Sequence, residues 1–543
     1  MDMGHRALNS FPEVPSLSPF YRWVRHFLAS TFVLERRMIG KVLFHGLILS
    51  FIIAGFWLLD SLKDPVLTSI VGIEYQPMAK LGSVVVTLLT TFMYEYATTK
   101  LKKLELFHLV SSVFGLVFLI LSALLSDPLY GLKIEERGPQ NIIGWLSYFM
   151  IEAYGSLMVA LFWSYTNSIM NLEEAKGAYG LIISVAQIGA ILGSTMATQA
   201  TQVGIPILFL AGSMTIFCIS LLMKVYVIVI PKKKRYSSSG AEHGPRKRLD
   251  SGSEYFGVRP SSHAEGPAVV RQAGGISEGL ILVFRNSYTR YILGISCIYE
   301  VVVTILDYQF KVLGAASVAQ SEGGEMSSQR SEDEFALLLG HFGQVTNVFS
   351  FLVSLLGFSF LVNRIGVRAS LMIFPTLLFI GVIVTNLLSS LWVLFVTVSL
   401  IKAVIFSFHD PVKELLYIPT SEAIKFKAKA WIDVFGARSA KALGSFICYA
   451  SFGNANTLRT IGEIPCILAS LTVLVVAHLA GSEFQRLVDN GIVISAEGES
   501  EIDTNLSPSN SNENIDDLAG DIPLRSASKS FDDGEGPLRH LRN

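Results

Sequence analysis

FHDPVKELLYIPTSEAIKFKAKAWIDVFGARSAK, residues 408–441, places His409, Asp410, Lys413, Glu414, Lys427, Lys429, Asp433, Arg438 and Lys441 between and inside strongly apolar segments. An ionisable group at bilayer depth is costly unless it is paired or faces water, so such groups mark a pathway or a binding site by default. The stretch reads as the charged part of a membrane protein and implies a charged solute.

Outward from it, the chain is apolar almost throughout. Of its 543 residues, 51% are hydrophobic and 16% charged, where a soluble domain carries about a quarter charged residues. Mean hydropathy is +0.49. Apolar runs repeatedly reach or approach the ~20 residues that cross a ~30 Å hydrocarbon core, and runs of that length satisfy their backbone as helices. The expectation is an all-α polytopic membrane protein with twelve transmembrane helices. They fall at about 40–60, 78–98, 105–126, 142–166, 178–199 and 204–230, then at about 288–311, 335–362, 367–388, 391–411, 430–452 and 464–481. The fifth and eleventh are less apolar than the rest.

The expected domains are an N-terminal segment 1–39, a first six-helix half 40–230, a basic linker 231–287, a second half 288–481 and an acidic tail 482–543. The linker carries PKKKRYSSSG and GPRKR, and its Ser/Gly content predicts disorder at its centre. Residues 276–286 are compatible with a short interfacial helix. The tail is poor in apolar residues and is expected to be disordered. Lysine and arginine collect in the N-terminal segment, in TTKLKKL, in the linker, in NRIGVR and at Lys425, Lys427 and Lys429. Twelve crossings put all of these on one side, which predicts that both termini are cytoplasmic. The acidic SEGGEMSSQRSEDE then falls outside. No cleavable signal-peptide pattern precedes the first span, which is expected to act as an uncleaved insertion signal. Cys218, Cys297, Cys448 and Cys466 each stand alone in apolar sequence, which predicts packing rather than disulfides or metal binding.

The two halves repeat. The first span ends LLDSLKD and the seventh ILDYQFK; the fifth carries AQIGAILGS (186–194) and the eleventh ARSAKALGS (437–445). The same elements in the same order predict parallel six-helix halves, the plan of the major-facilitator architecture, with the substrate site near the midplane between them.

Charges inside or at the edge of spans are therefore the candidate site residues. The first span offers Asp60, Lys63 and Asp64; Asp60 and Lys63 share a helix face at three apart and form either an ion pair or a solvated helix end. Glu152, deep in WLSYFMIEAYGSLMVALFWSYTN, is either functional or an interhelix partner, with Asn167 and Trp163 beyond it. Glu300, Asp307 and Lys311 lie on the seventh span, the last two at an ion-pairing spacing. His341, Gln344 and Asn347 either line a cavity or bond between helices. Asp410-Pro411, Lys413 and Glu414 follow the tenth span. Arg438 and Lys441 are three apart on the eleventh, and two cations on one face call for an anion between them, phosphate or carboxylate, or for salt bridges to nearby acids. No phosphate-binding GxxxxGK[ST] loop, HExxH spacing or nucleophile elbow is present, so neither an enzyme nor a nucleotide-hydrolysing pump is expected, and no cofactor. The expected partners are a small-molecule anion and the lipid bilayer, not nucleic acid.

At LLDSLKD, IEAYGSLMVALFWSYTNSIMNLEEAK, DYQFK and DPVKELLYIPTSEAIKFKAKAWIDV, over about 40–480, the chain resembles the nucleotide transporter family of plastids and intracellular bacteria, the ATP/ADP translocases of rickettsiae and chlamydiae. The resemblance implies a twelve-span, facilitator-like secondary transporter that exchanges nucleotides by alternating access without hydrolysing them. It implies roles for Lys63, for Glu152, for either Glu300 or Asp307, and for Lys413 with Lys427 and Lys429 as alternatives. The N-terminal segment shows no Ser/Arg-rich transit pattern, so a bacterial inner membrane is expected rather than a plastid envelope. A transporter of another anionic metabolite and a non-transporting membrane scaffold or receptor are the competing expectations.

Overall fold

The computed structural model describes residues 36–134, 136–169, 172–229, 275–321, 328–421, 424–495 and 499–501. The N-terminal segment, most of the linker and the tail beyond 501 lie outside them. Six helices make the first half: α1 Arg36–Ile70, α2 Gln76–Lys100, α3 Lys103–Ser126, α4 Ile142–Ile169, α5 Leu172–Ala197 and α6 Ile205–Val229. A short helix, Gly275–Arg285, leads into the second half, where the sequence allowed an interfacial helix. There α7 spans Ser287–Ser321. The run Ser328–Leu387 contains two membrane-length helices, α8 Ser331–Ser354 and α9 Arg364–Leu387. Gly366 lies just inside the second with φ +81°, a left-handed conformation that breaks an α-helix and suits glycine. Then come α10 Leu391–Val404, α11 Ala437–Tyr449 and α12 Ala455–Asp489.

Ten of the described helices are long and apolar enough to cross a membrane. The other two positions are α5, whose apolar stretch among the described residues is Ile182–Ala197, and α11, the short helix that follows the interrupted segment. The expected count of twelve is therefore not established by length and apolarity.

Close helix packing explains the repeat. A Cβ at Gly193 of α5 would collide with the Ala54 carbonyl oxygen of α1, and one at Gly189 with the Ser50 carbonyl oxygen. In the second half a Cβ at Gly444 of α11 would stand 3.0 Å from the Val301 carbonyl oxygen of α7. ILGS and ALGS are thus the same crossing point, made by small residues that let two backbones approach. One turn away the halves differ: Gly46 of α1 receives Val185 of α5, whereas Gly436 before α11 receives Cys297 and Leu293 of α7. The small residue has changed helix. Gly193→Ala is expected to destabilise the protein by about 1–3 kcal/mol, because backbone cannot yield to the added methyl. Gly444→Ala, with its looser contact, is expected to cost less. Thermal melting of the two purified variants checks the order.

The linker and α12's C-terminus mark one end of the bundle. The contacts named here between the halves lie toward the other, the far end. Arg137 of the α3–α4 connection bridges Glu332 at the start of α8 at 3.2 Å. Asp333 accepts from the Ile205 amide at the N-terminus of α6 (3.3 Å), and Gln344 of α8 donates to Thr195 of α5 (2.9 Å). Tyr308 of α7 donates to the Ile73 carbonyl. The α11–α12 turn, with Phe452 and Gly453 at positive φ, sets Gly453 against Glu74.

Between α10 and α11 the helix is interrupted. Ile405–His409, Ile424–Ala428 and Ile432–Gly436 are π-helical turns, with Asp410–Leu415 as a short α segment between the first two. Such turns inside helices occur often at functional sites. The last helix outruns the sequence expectation: α12 continues to Asp489, and β1 Ile492–Ile494 pairs antiparallel with β2 Glu499–Glu501. β1 also docks on the α10–α11 connection, where the Ile494 amide donates to the Pro419 carbonyl and Ser421 donates back to Ile494. The tail expected from 482 is thus structured at its start.

Candidate functional site

The deepest charges are carried by α1, α2, α4, α7 and α10 and meet between the halves. Lys63 of α1 is held by Asp60 one turn earlier and by Glu152 of α4, each at 2.5 Å, over the face of Tyr148 at 5.3 Å. Asp60 and Lys63 are thus an ion pair rather than a solvated helix end, because α4 supplies a second acid to the same ammonium. Asp307 of α7 is almost fully buried and serves three cations: Lys311 on its own helix (2.8 Å), Lys402 of α10 (2.5 Å) and Lys80 of α2 (3.9 Å). Lys311 also reaches Asp64 of α1 at 2.9 Å, an ion pair that crosses from one half to the other. At 4 Å and an effective dielectric of ~20, a unit pair is worth about 4 kcal/mol before desolvation. Groups this buried are therefore held as a network and tolerate the loss of a member poorly.

Toward the linker end, Glu300 of α7 pairs with Lys441 of α11 at 3.5 Å. Arg438, one turn before Lys441 and half-buried, has no carboxylate within ion-pairing distance among the described residues. The acid placed to act on it electrostatically is Glu152 of the other half. Next to these lies the cluster from the opening stretch: Lys413 with Asp410 (3.4 Å) and Asp433 (4.0 Å), and Lys429 with Glu414 (2.5 Å).

The structure therefore brings Lys63, Glu152, Asp307 and Lys311 into one network, places Glu300, Arg438 and Lys441 beside it, and puts Asp410 and Lys413 in a neighbouring cluster. Asn167 lies on α4, but its side chain is outside the described residues, as is that of Lys427. His341 Nδ1 donates to the Gln344 amide oxygen, and the Gln344 amide nitrogen donates across to Thr195, so this pair joins helices. His409 is packed between the rings of Phe374 and Tyr299 rather than facing the network. Sequence reasoning named Asp64 beside Lys63 at the end of the first span but missed Lys80 and Lys402. The signal was present: Lys402 is a lone cation well inside VTVSLIKAVIFSF, the same pattern that singled out Glu152. Among the described residues no group of His, Cys, Asp and Glu has the arrangement of a metal site.

Two helical halves closed over a buried, charged interface give a multi-pass membrane protein with a major-facilitator-like fold. The fold is similar to that of the nucleoside transporter NupG (TM-score 0.51, 11% identity, covering 82% of this chain and 99% of that one). It is equally similar to a bacterial homologue of the iron transporter ferroportin in an inward-facing state (TM-score 0.51, 13% identity, 82% and 100%). The TLC ATP/ADP transporter family model matches residues 141–483, and the chain belongs to that family. Curated relatives include ADP,ATP carrier protein 4 of Rickettsia conorii, 23% identical over 505 residues (84% of this chain, 94% of the relative). ADP,ATP carrier protein 1 of Chlamydia pneumoniae is 22% identical over 455 residues (75% and 82%), and the chloroplastic ADP,ATP carrier protein 1 of Arabidopsis thaliana 24% over 379 (62% and 53%).

Proposed function

We propose that this protein exchanges nucleotides, ATP against ADP, by alternating access of a site between its halves, without hydrolysing them. The substrate seat is formed by Lys63, Lys80, Lys311, Lys402, Arg438 and Lys441, with Asp60, Glu152, Glu300 and Asp307 holding the lysines in place until phosphate oxygens take over. The observation that carries the reading is Arg438: a half-buried guanidinium beside that network with no ion-pair partner among the described residues. A guanidinium matches two phosphate oxygens at once, and the named relatives are ADP,ATP carriers. Lys413 and Asp410 flank the seat toward the linker end. The membrane is proposed to be a bacterial inner membrane with both termini inside.

The test is uptake of labelled ATP into proteoliposomes of the purified chain. Internal ADP is expected to accelerate it by about tenfold or more, the margin that separates exchange from passive leak. Accumulation of another phosphorylated anion but no nucleotide would transfer the site to that solute. Folded, inserted protein that moves neither would sink the proposal.

A further inference from the structure

Every cation of the central network except one already has an acid. Lys63 has Asp60 and Glu152, Lys311 has Asp64 and Asp307, Lys402 and Lys80 have Asp307, and Lys441 has Glu300. Arg438 is the exception among the described residues. Its electrostatic partner, Glu152, is committed to Lys63 at 2.5 Å. Alternating access requires the cavity to close over whatever it holds before it opens to the other side. A lone guanidinium loses its water on closure with nothing in exchange, and an unpaired charge in that position is among the costliest groups to bury. A bound phosphate supplies the missing charge and satisfies the planar fork.

We infer that Arg438 is what makes exchange obligatory: its unpaired charge bars the empty carrier from closing, so that the return step needs a second anion. The inference rests on the proposed nucleotide exchange. It goes further in assigning the coupling to one residue of the seat, distinct from the lysines that already have acid partners. The requirement falls on charge and not on the base, so any small polyphosphate that fits the seat serves the return step.

The experiment uses proteoliposomes loaded with labelled ATP and diluted into buffer with or without ADP. For the unaltered protein, external ADP is expected to speed efflux by about tenfold or more, the imbalance expected when the empty form closes at a cost and the loaded form does not. In Arg438→Gln and Arg438→Met, efflux into ADP-free buffer is expected to rise several-fold and the stimulation by ADP to fall toward one, with a higher KM for ATP. Arg438→Lys, which keeps the charge, is expected to remain ADP-dependent. Thermal melting establishes that the variants are folded. A neutral variant that still transports and still needs ADP overturns the inference, and so does a folded variant inactive in both modes, since either makes Arg438 a binding residue only. The unaltered protein offers a test free of substitutions: external inorganic pyrophosphate should stimulate ATP efflux, and no stimulation at millimolar pyrophosphate also overturns the inference. Protein that moves no ATP under any condition removes the proposed function itself, a different result from ATP movement that is indifferent to Arg438.

Discussion

Lys63→Ala is expected to lower ATP uptake by at least about a hundredfold in protein that still inserts, because removing one member of a buried pair costs 3–5 kcal/mol and strands the other. Here two members are stranded. Asp60 and Glu152 both lie at 2.5 Å from the Lys63 ammonium and would be left facing each other with no cation between them. They come from different helices, α1 and α4, so the substitution also removes the tie that sets the spacing of those helices at the seat. Uptake per mole of reconstituted protein, beside a melting curve, separates the two consequences. The double variant Lys63→Ala/Glu152→Gln should regain part of the lost stability without regaining transport. Uptake by Lys63→Ala within about threefold of the unaltered protein, less than 1 kcal/mol, would dismiss Lys63 from the seat.

Asp307→Asn is expected to act on folding as strongly as on transport. The substitution keeps the shape and removes the single carboxylate shared by Lys311, Lys402 and Lys80. Three ammonium groups on three helices, α2, α7 and α10, would then repel one another across a few ångströms, and only Lys311 would keep another acid, Asp64. A loss of about 3–5 kcal/mol follows from leaving buried charge uncompensated, read as a clear fall in melting temperature and in yield of inserted protein. Asp307→Asn/Lys402→Met should recover much of it, because the acid and its tightest partner leave together. A single variant as stable and as active as the parent would show that Asp307 is not the hub of the network.

The architecture was legible in the sequence wherever composition alone decided it. Long apolar runs, basic short connections and the shared order of LLDSLKD/ILDYQFK and AQIGAILGS/ARSAKALGS led to two helical halves, and the packing of Gly193 on Ala54 and Gly444 on Val301 gives that repeat its physical meaning. The ion pairs within one helix, Asp60–Lys63 and Asp307–Lys311, were legible too, since spacing on one helix is local information. What spacing cannot supply is which helices face each other. Glu152 and Lys402 each stand out as a lone charge in an apolar run, but that Lys402 and Lys80 converge on Asp307, and Glu152 on Lys63, is not written in any one helix. In the opening stretch the rules of three and four residues fail for another reason. π-helical turns at 405–409, 424–428 and 432–436 shift the phase of the helix, so Lys413 meets Asp433 from a different helical segment.

The docking of β1 on Pro419–Ser421 has a consequence for how the protein is made. A membrane protein is delivered to the bilayer from its N-terminus onward, span by span. The connection between α10 and α11 leaves the ribosome well before Ile494, yet the Pro419 carbonyl and the Ser421 amide find their partner only in Ile494. Until β1 has emerged, the segment that carries Lys413, Glu414 and Lys429 lacks the strand that pins it. The β1 strand thus acts as a closing stitch, and a truncation just before residue 492 would leave every membrane-length helix in place while the charged corner beneath them stayed unfastened.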